Sequence, residues 1–256
     1  VTYIGGYAFI KNGKVSSLEL DSIETLGYAA FAQSSIQSIK LNTSKDFGTL
    51  TIGELAFYEC EYLSTVLLPD SDNVEVEILK GAFYNCTNLD EYAIRDHGPR
   101  GQIANGINFE RVTYIGEYAF TGATSLSSAT LSACTEIGYA AFAECEKLAS
   151  ITMPVIEKIG GVALYNTSIT TLTIPNTIIN IDQAAFCNTE VAISLDSTQD
   201  YSSNDSIKLD ALDGGNAVYI KLSDGTYMLL YYPSDITLNQ YTVLDNTSII
   251  GAYAFL

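Results

Sequence analysis

The sequence contains few residues of the types that catalysis or metal binding requires. His97 is the only histidine, so a Ser-His-Asp triad with a second histidine site, or a metal centre built on several histidines, is excluded. No Gly-x-Ser-x-Gly motif marks a nucleophile. We therefore predict that the protein is not an enzyme and holds neither a cofactor nor a metal.

The segment around His97 is the one basic part of an acidic chain. Residues 95–111 contain all three arginines and the histidine. Arg95, His97 and Arg100 could form a loop that binds an acidic ligand, or His97 and Asp96 could be a fragment of a catalytic site. An ordinary polar surface loop explains the same residues, and this is the interpretation that the absence of a nucleophile motif favours.

Two acidic runs have oxygen ligands of the kind that calcium prefers. They are residues 70–73 and 210–216. Neither has the spacing of a calcium-binding EF-hand loop, whereas aspartate and glycine are common in turns. We therefore predict turns at both places.

Composition and charge narrow the possible partners. The chain has 256 residues, of which 12 are basic and 30 are acidic, for a net charge of −18. Such a surface repels nucleic acids and anionic lipids. No apolar stretch is long enough to cross a membrane as a helix, so we expect no membrane insertion of this segment.

A repeated motif organises the whole chain. The pattern Ile-Gly-x-x-Ala-Phe recurs with a base period of 22 residues, in copies that end at Phe9, Phe31, Phe57, Phe83, Phe120, Phe142, Leu164, Phe186 and Phe255. A fixed period of this length is typical of a solenoid. Because the sequence starts inside one copy and ends inside another, we expect it to be a piece of a longer chain.

Within each copy the pattern ends in an alternating stretch that predicts one short strand. Examples are residues 150–153 and 171–174, each followed by a proline that cannot donate to a ladder. A strand that returns every 22 residues pairs with its own copy in the next coil, which predicts one curved parallel sheet with right-handed crossovers. The Ala-Phe step predicts a short helical turn whose phenylalanine enters the core.

These residues resemble the BspA-type, or Treponema-type, leucine-rich repeat. One full copy comprises Ile137, Gly138, Ala141, Phe142, Cys145, Leu148, Ile151 and Pro154, and a second comprises Ile52, Gly53, Ala56, Phe57, Cys60, Leu63, Val66 and Pro69. The resemblance implies an α/β-type, mostly β, leucine-rich repeat solenoid. It also implies a secreted or cell-surface protein of bacteria or some protists that acts in adhesion or binding rather than catalysis.

Two segments interrupt the repeat, within what we expect to be a single solenoid over residues 1–256. The first is the loop at 95–111. The second lies at 196–235 and contains two alternating stretches around Ser223-Asp224-Gly225, which predict a β-hairpin near residues 217–232. The same family resemblance implies such a tyrosine-rich hairpin.

Three of the five cysteines occupy one position of the repeat. They are Cys60, Cys86 and Cys145. In the other copies this position holds small residues, namely Asn12, Ser34, Ala123, Thr167 and Thr189. A disulfide between Cys60 and Cys86 or a reactive thiol is one possibility, and small buried thiols are the other. Because alanine and serine serve at the same position, we predict buried, unlinked thiols.

The tyrosines have two possible roles, contact with a partner or packing at the edge of the coils. Most occur at fixed positions of the repeat, such as Tyr7 and Tyr118 before Ala-Phe, and Tyr28 and Tyr139 after Gly. Packing is therefore the role we predict for them, and Tyr231 and Tyr232 of the hairpin are the tyrosines that we expect to be exposed.

The outward positions of the strands provide the main candidate for binding. Alternation assigns them to Ser17, Glu19, Ser38, Lys40, Thr65, Leu67, Glu91, Ala93, Ser128, Thr130, Ser150, Thr152, Thr171 and Thr173. Most are hydroxyl residues, which also favour exposed strands for their own sake.

From this set we predict ligand contacts by Thr65, Glu91, Thr130, Ser150, Thr152, Thr171 and Thr173. The alternative site is formed by Arg95, His97, Arg100, Tyr231 and Tyr232. We expect a monomer that binds a host protein or a glycan, and the alternative function is a passive spacer that displays another domain of the parent chain.

Overall fold

A computed structural model describes residues 1–41, 48–69, 73–90, 106–182, 184–186, 191–196, 198–212, 215–221, 225–231 and 242–250. The described residues contain no helix. Their strands, in chain order, are β1 (Tyr3–Ile4), β2 (Ser17–Leu20), β3 (Thr25–Leu26), β4 (Ser38–Leu41), β5 (Gly48–Ile52), β6 (Thr65–Leu67), β7 (Val74–Ile78), β8 (Gly106–Ile107), β9 (Val112–Ile115), β10 (Ser128–Thr130), β11 (Glu136–Ile137), β12 (Ser150–Thr152), β13 (Lys158–Ile159), β14 (Thr171–Ile174), β15 (Asn180–Ile181), β16 (Ala192–Leu195), β17 (Ile207–Leu212), β18 (Gly215–Lys221), β19 (Tyr227–Tyr231) and β20 (Thr247–Ile250).

The strands stack as a parallel solenoid, which confirms the predicted fold class, but each coil contributes two strands rather than one. The odd-numbered strands from β1 to β15 form one eight-stranded sheet, which we call the long sheet. Its strands are built around the Ile of each Ile-Gly step, for example Ile137 beside Ile159. Most of them are only two residues long, so their sequence gives too little alternation for the second strand to be predicted.

The predicted strands form the other face, and this face is not one continuous sheet. It consists of a four-stranded sheet in the order β2-β4-β6-β8 and two separate pairs, β10-β12 and β14-β16. All of these pairings are parallel. The prediction of a single curved sheet is therefore wrong: the coil bends twice per repeat, and the core lies between two strand faces.

The core is organised by a stack of phenylalanine rings, one from each coil. Neighbouring rings in the column from Phe9 to Phe142 lie 4.8–5.3 Å apart and are nearly parallel, at 2–12°. From Phe31 onward these side chains are fully buried. Each coil thus buries its ring between the rings of its neighbours, which explains why the motif keeps its phenylalanine.

The Ala-Phe step forms a turn that is not helical, which corrects the prediction made from the sequence. In this turn, backbone N–H groups bond alternately within their own coil and to the next one: Tyr58 donates to Leu55 O, whereas Phe57 donates to Ala82 O at 2.7 Å. The residues two before and two after the phenylalanine have positive φ values in six successive coils, and those around Leu164 do so in the seventh, all at 48–73°. A helix is excluded because these residues point their N–H groups out of the coil.

The conserved spacing of the Ile-Gly step has a steric cause. A Cβ at Gly53 would lie 2.2 Å from the carbonyl oxygen of Leu26, and one at Gly138 would lie 2.6 Å from the backbone nitrogen of Glu117. Backbone atoms of the preceding coil therefore occupy the space of a side chain. Glycine therefore fits the close approach of the coils at these two points. Leu79 and Asp182 occupy the same position in two other coils and make the same N–H bond to the preceding coil, at 2.9 Å.

An antiparallel sheet follows the regular coils and contains the predicted hairpin. Strands β18 and β19 pair antiparallel, as predicted, and β17 adds a third antiparallel strand in a region predicted as a turn. Val218, Ile220 and Met228 join the solenoid core. β20 then pairs parallel to β19.

We predict that the phenylalanine stack dominates stability. Phe142→Ala removes a fully buried ring that stacks on Phe120 and should lower the free energy of unfolding by about 3–5 kcal/mol. Ser150→Ala in the same coil removes an exposed hydroxyl and should cost well under about 1 kcal/mol. Urea denaturation of both variants measures the difference, and equal midpoint shifts would contradict the assignment of the core.

A second prediction concerns the positive φ values. Lys11 is exposed and has a φ of 54°, whereas Lys14 is exposed without this conformation. Glycine at either position increases the conformational entropy of the unfolded chain by a similar amount. Only at residue 11 does glycine also remove the steric cost of a left-handed backbone. In thermal or urea unfolding, Lys11→Gly should be more stable than Lys14→Gly by about 1–2 kcal/mol. Equal stabilities would show that the turn is not strained there.

Candidate functional site

Seven exposed or half-exposed hydroxyl residues lie side by side on four neighbouring coils. We call them the hydroxyl face: Ser128, Thr130, Ser150, Thr152, Thr171, Thr173 and Ser194. Between them, Ala129, Ile151 and Leu172 point into the core, as the alternation predicted. Five of the seven predicted contact residues thus lie on one exposed surface.

The strand register aligns these hydroxyls in rows across the coils. Ser128 pairs with Ser150 and Thr130 with Thr152, and in the next pair of strands Thr173 is beside Ser194. The Oγ atoms of Thr173 and Ser194 lie 3.2 Å apart. The face therefore presents ordered groups that can both donate and accept hydrogen bonds, and it carries no charged side chain.

Thr65 does not share this exposure, although alternation assigns it an outward position. Its side chain is buried, at 4% relative exposure. Thr65 belongs to an inner strand of a continuous sheet, paired with Ser38 on one side and Gly106 on the other. By contrast, β12 and β14 are edge strands of separate pairs.

The remaining predicted contact residues cannot be placed. Glu91, Arg95, His97, Arg100 and Tyr232 lie outside the described residues. Tyr231 is the last residue of β19, and only the backbone of Tyr231 is described. Residues 95–105 of the predicted loop lie outside the described residues and residues 106–107 form β8, so the alternative binding site there remains a prediction.

A groove of about 340 Å³ borders the hydroxyl face where its strands end. Thr152, Thr173, Pro154, Pro175 and Asp196 are among the residues that line it. Hydrogen bonds from the Thr198 side chain and backbone hold the pKa of Asp196 below its usual range. Its carboxylate is therefore charged at neutral pH and is fixed at one end of the groove.

A second groove, of about 590 Å³, lies between residues 199–205 and the antiparallel sheet. Its tyrosines are already engaged: the Tyr201 hydroxyl donates to the Ile174 carbonyl, and Lys208 Nζ lies 5.2 Å from the centre of the Tyr227 ring. Asn204 also donates to backbone carbonyls of Asn176 and Ile178. These contacts indicate that the segment fixes the end of the coils.

The cysteines are buried and unlinked, which confirms the prediction for Cys60, Cys86 and Cys145. Each donates its S–H to the phenylalanine carbonyl of the preceding coil; for Cys145 the acceptor is Phe120 O at 3.1 Å. Burial raises the pKa of the Cys145 and Cys134 thiols to about 12. Cys187 lies outside the described residues.

Several repeat tyrosines are exposed, contrary to the prediction that they pack at the coil edge. Tyr7 is 56% exposed, Tyr28 45% and Tyr139 46%. They pair edge to face, Tyr7 with Tyr28 and Tyr118 with Tyr139, so one side of each ring is covered by a neighbour. The repeat pattern shows where these tyrosines recur, but it does not reveal that their positions point outward.

The described part of the chain offers no other site of the kinds considered. It contains no group of three or more histidine, cysteine or acidic side chains arranged to hold a metal ion. Within the same residues no helix is long and apolar enough to span a membrane.

Comparison with known proteins relates the chain to a repeat family and to solved structures. Residues 1–98 and 102–193 match the BspA type leucine rich repeat region in six copies. A leucine rich cell surface protein from Faecalibacterium prausnitzii A2-165 has a similar structure, with a TM-score of 0.64 and 22% sequence identity. The match covers 95% of this chain and 61% of that one, and no curated protein matches the sequence.

The thiol environment leads to a testable prediction. Because the thiols of Cys60, Cys86, Cys134 and Cys145 are buried and protonated, they should not react with a thiol reagent at pH 8 in the native protein. After denaturation without reductant, all five cysteines should react. A titration that finds fewer than five thiols in the denatured protein would reveal a disulfide and contradict this prediction.

Proposed function

Because this chain belongs to the BspA-type leucine-rich repeat family, we propose that it is a non-enzymatic binding protein of the cell surface or the extracellular space. In this proposal the solenoid recognises a protein or a glycan through the hydroxyl face. The similar structure is a protein described as located at the cell surface, which supports that location.

The observation that carries the proposal is the chemical uniformity of the hydroxyl face. Thr130, Ser150, Thr152, Thr171 and Thr173 are exposed. The strand partners of the first three and of Thr173 are also serine or threonine, whereas Thr171 pairs with Ala192. Short hydroxyl side chains lose little conformational entropy when a ligand orders them, and each supplies a donor and two acceptors. Such a surface suits a ligand held by many hydrogen bonds.

The surroundings of the face supply the remaining elements of a binding site. The neighbouring groove offers apolar proline edges and the fixed Asp196 carboxylate. Strand pairing holds Ser150 beside Ser128, Thr152 beside Thr130 and Thr173 beside Ser194, which orders these hydroxyls before a ligand binds. Since the face itself is uncharged, we expect affinity to depend on hydrogen bonds and shape, with weak dependence on salt.

The proposal predicts a specific effect of bulky charges on this face. Ser150→Arg with Thr171→Arg should reduce binding at least tenfold, because long cationic side chains cover the rows of hydroxyls. The measurement is binding to an array of immobilised extracellular-matrix proteins and glycans, at two salt concentrations. The melting curve should not change, since both residues are exposed.

A matched control adds the same charge elsewhere. Tyr62→Arg with Asn180→Arg places two arginines on exposed positions away from the face and should leave array binding within twofold of the parent. If the parent binds nothing on the array, or if both double variants bind as well as the parent, the hydroxyl face is not the binding surface.

A further inference from the structure

One column of exposed side chains runs along the turns of five successive coils. It occupies the third position before the core phenylalanine, and we call it the tyrosine–glutamate strip: Tyr28, Glu54, Lys80, Glu117 and Tyr139. The residue types are symmetric along the column: tyrosine at both ends, glutamate next to each tyrosine and lysine in the middle. Gly6 and Gly161 occupy the same position in the coils on either side.

Backbone hydrogen bonds between coils fix the strip. Ala29 N donates to Glu54 O, Leu55 N to Lys80 O and Gly81 N to Glu117 O, at 2.8–2.9 Å. The members therefore follow each other at the spacing of neighbouring strands, about 4.8 Å. The two tyrosines lie four such steps apart, or about 19 Å.

The fold does not require the residues found in the strip. The same position accepts glycine, glutamate, lysine and tyrosine in different coils, so backbone contacts rather than side chains determine the turn. Both end tyrosines are nonetheless almost half exposed. Large aromatic side chains such as tyrosine are enriched at protein interfaces.

Each end tyrosine has a carboxylate beside it. Glu54 follows Tyr28 in the column and is exposed. At the other end, a Cβ on Gly161 would lie 3.0 Å from Asp182 Oδ1 and 3.3 Å from Tyr139 Cδ2, so the carboxylate and the ring flank the same small gap. A ring edge or face beside a carboxylate is a favourable place for a guanidinium or ammonium group.

The protein itself shows how a cation occupies this surface. The Lys80 ammonium lies 2.7 Å from Glu117 Oε2 and 5.6 Å from the centre of the Tyr118 ring. Tyr118 is in turn the edge-to-face partner of Tyr139, with ring centres 5.4 Å apart. The central lysine thus illustrates, within the chain, the contact that a partner's cation can make with Tyr28 and Glu54 or with Tyr139 and Asp182. Glu54 also interacts electrostatically with Lys80, and Asp182 Oδ1 accepts a hydrogen bond from Ala184 N.

We propose that the tyrosine–glutamate strip is an interaction surface for a protein partner that presents arginine or lysine side chains. The partner's cations occupy the two tyrosine–carboxylate ends, about 19 Å apart. The net charge of −18 attracts such a partner and opposes a second copy of this chain. The inference rests on the proposed binding role but on a surface separate from the hydroxyl face.

The test uses a fluorescent peptide of nine arginines and measures its affinity by anisotropy at 150 mM salt, where distant charges are screened. Tyr28→Ala with Tyr139→Ala leaves the charge of the protein unchanged and should weaken binding at least fivefold. The control, Tyr3→Ala with Tyr62→Ala, removes two exposed tyrosines outside the strip and should stay within twofold of the parent.

A second comparison distinguishes the effect of carboxylates beside the end tyrosines on peptide binding from the effect of overall net charge. Glu54→Gln with Asp182→Asn should weaken peptide binding more than Glu61→Gln with Glu146→Gln, which removes the same charge at exposed positions outside the strip. Equal losses in the two pairs would show that only net charge attracts the peptide and would overturn the proposal. Tighter, tyrosine-dependent binding of an uncharged oligosaccharide would overturn the assigned partner class.

The two proposed surfaces can fail independently. Ser150→Arg with Thr171→Arg should leave binding of the arginine peptide within twofold of the parent, because neither residue belongs to the strip. If instead that variant loses the peptide while the tyrosine variant retains it, the strip is not the site of cation binding. Concentration-dependent dimers that disappear in the tyrosine variant would assign the strip to self-association and would likewise overturn the proposal.

Discussion

The alternating backbone hydrogen bonds of the turn at each Ala-Phe step hold the solenoid together. In each turn, one N–H bonds within the coil and the next bonds to the following coil, as Tyr58 and Phe57 do. This arrangement requires left-handed backbone on both sides of the phenylalanine, which costs free energy for residues other than glycine. The cost is offset because the same turn stacks the rings and satisfies the backbone groups of two coils at once.

The constant positions of the repeat follow from that close approach. Glycine precedes the turn because backbone atoms of the preceding coil fill the space of a Cβ. Three residues after the phenylalanine, a small side chain is needed, and cysteine suits it because its S–H can reach the phenylalanine carbonyl of the preceding coil. The thiols are therefore structural, and their raised pKa values are a consequence of burial rather than a sign of reactivity.

The sequence predicted what depends on periodicity and failed where several coils act together. The core positions of Phe142, Cys145 and Ile151, the strands of the hydroxyl face and the hairpin followed from spacing. The second strand of each coil is too short to show a pattern, and the left-handed turn uses residues as different as leucine and glutamate. Burial of Thr65 contradicts the outward position that alternation assigns to it, and no single copy of the repeat reveals that burial.

Because the turn is determined by backbone contacts, outward positions are free to vary, and their chemistry is where function can be sought. The hydroxyl face and the tyrosine–glutamate strip differ in the physical basis of recognition. The first is uncharged and held by strands, so it suits hydrogen bonding that salt affects little. The second combines aromatic rings with carboxylates, as in the contact of Lys80 with Glu117 and Tyr118, so it favours cations. A repeating fold can carry both because each column of side chains changes without disturbing the next.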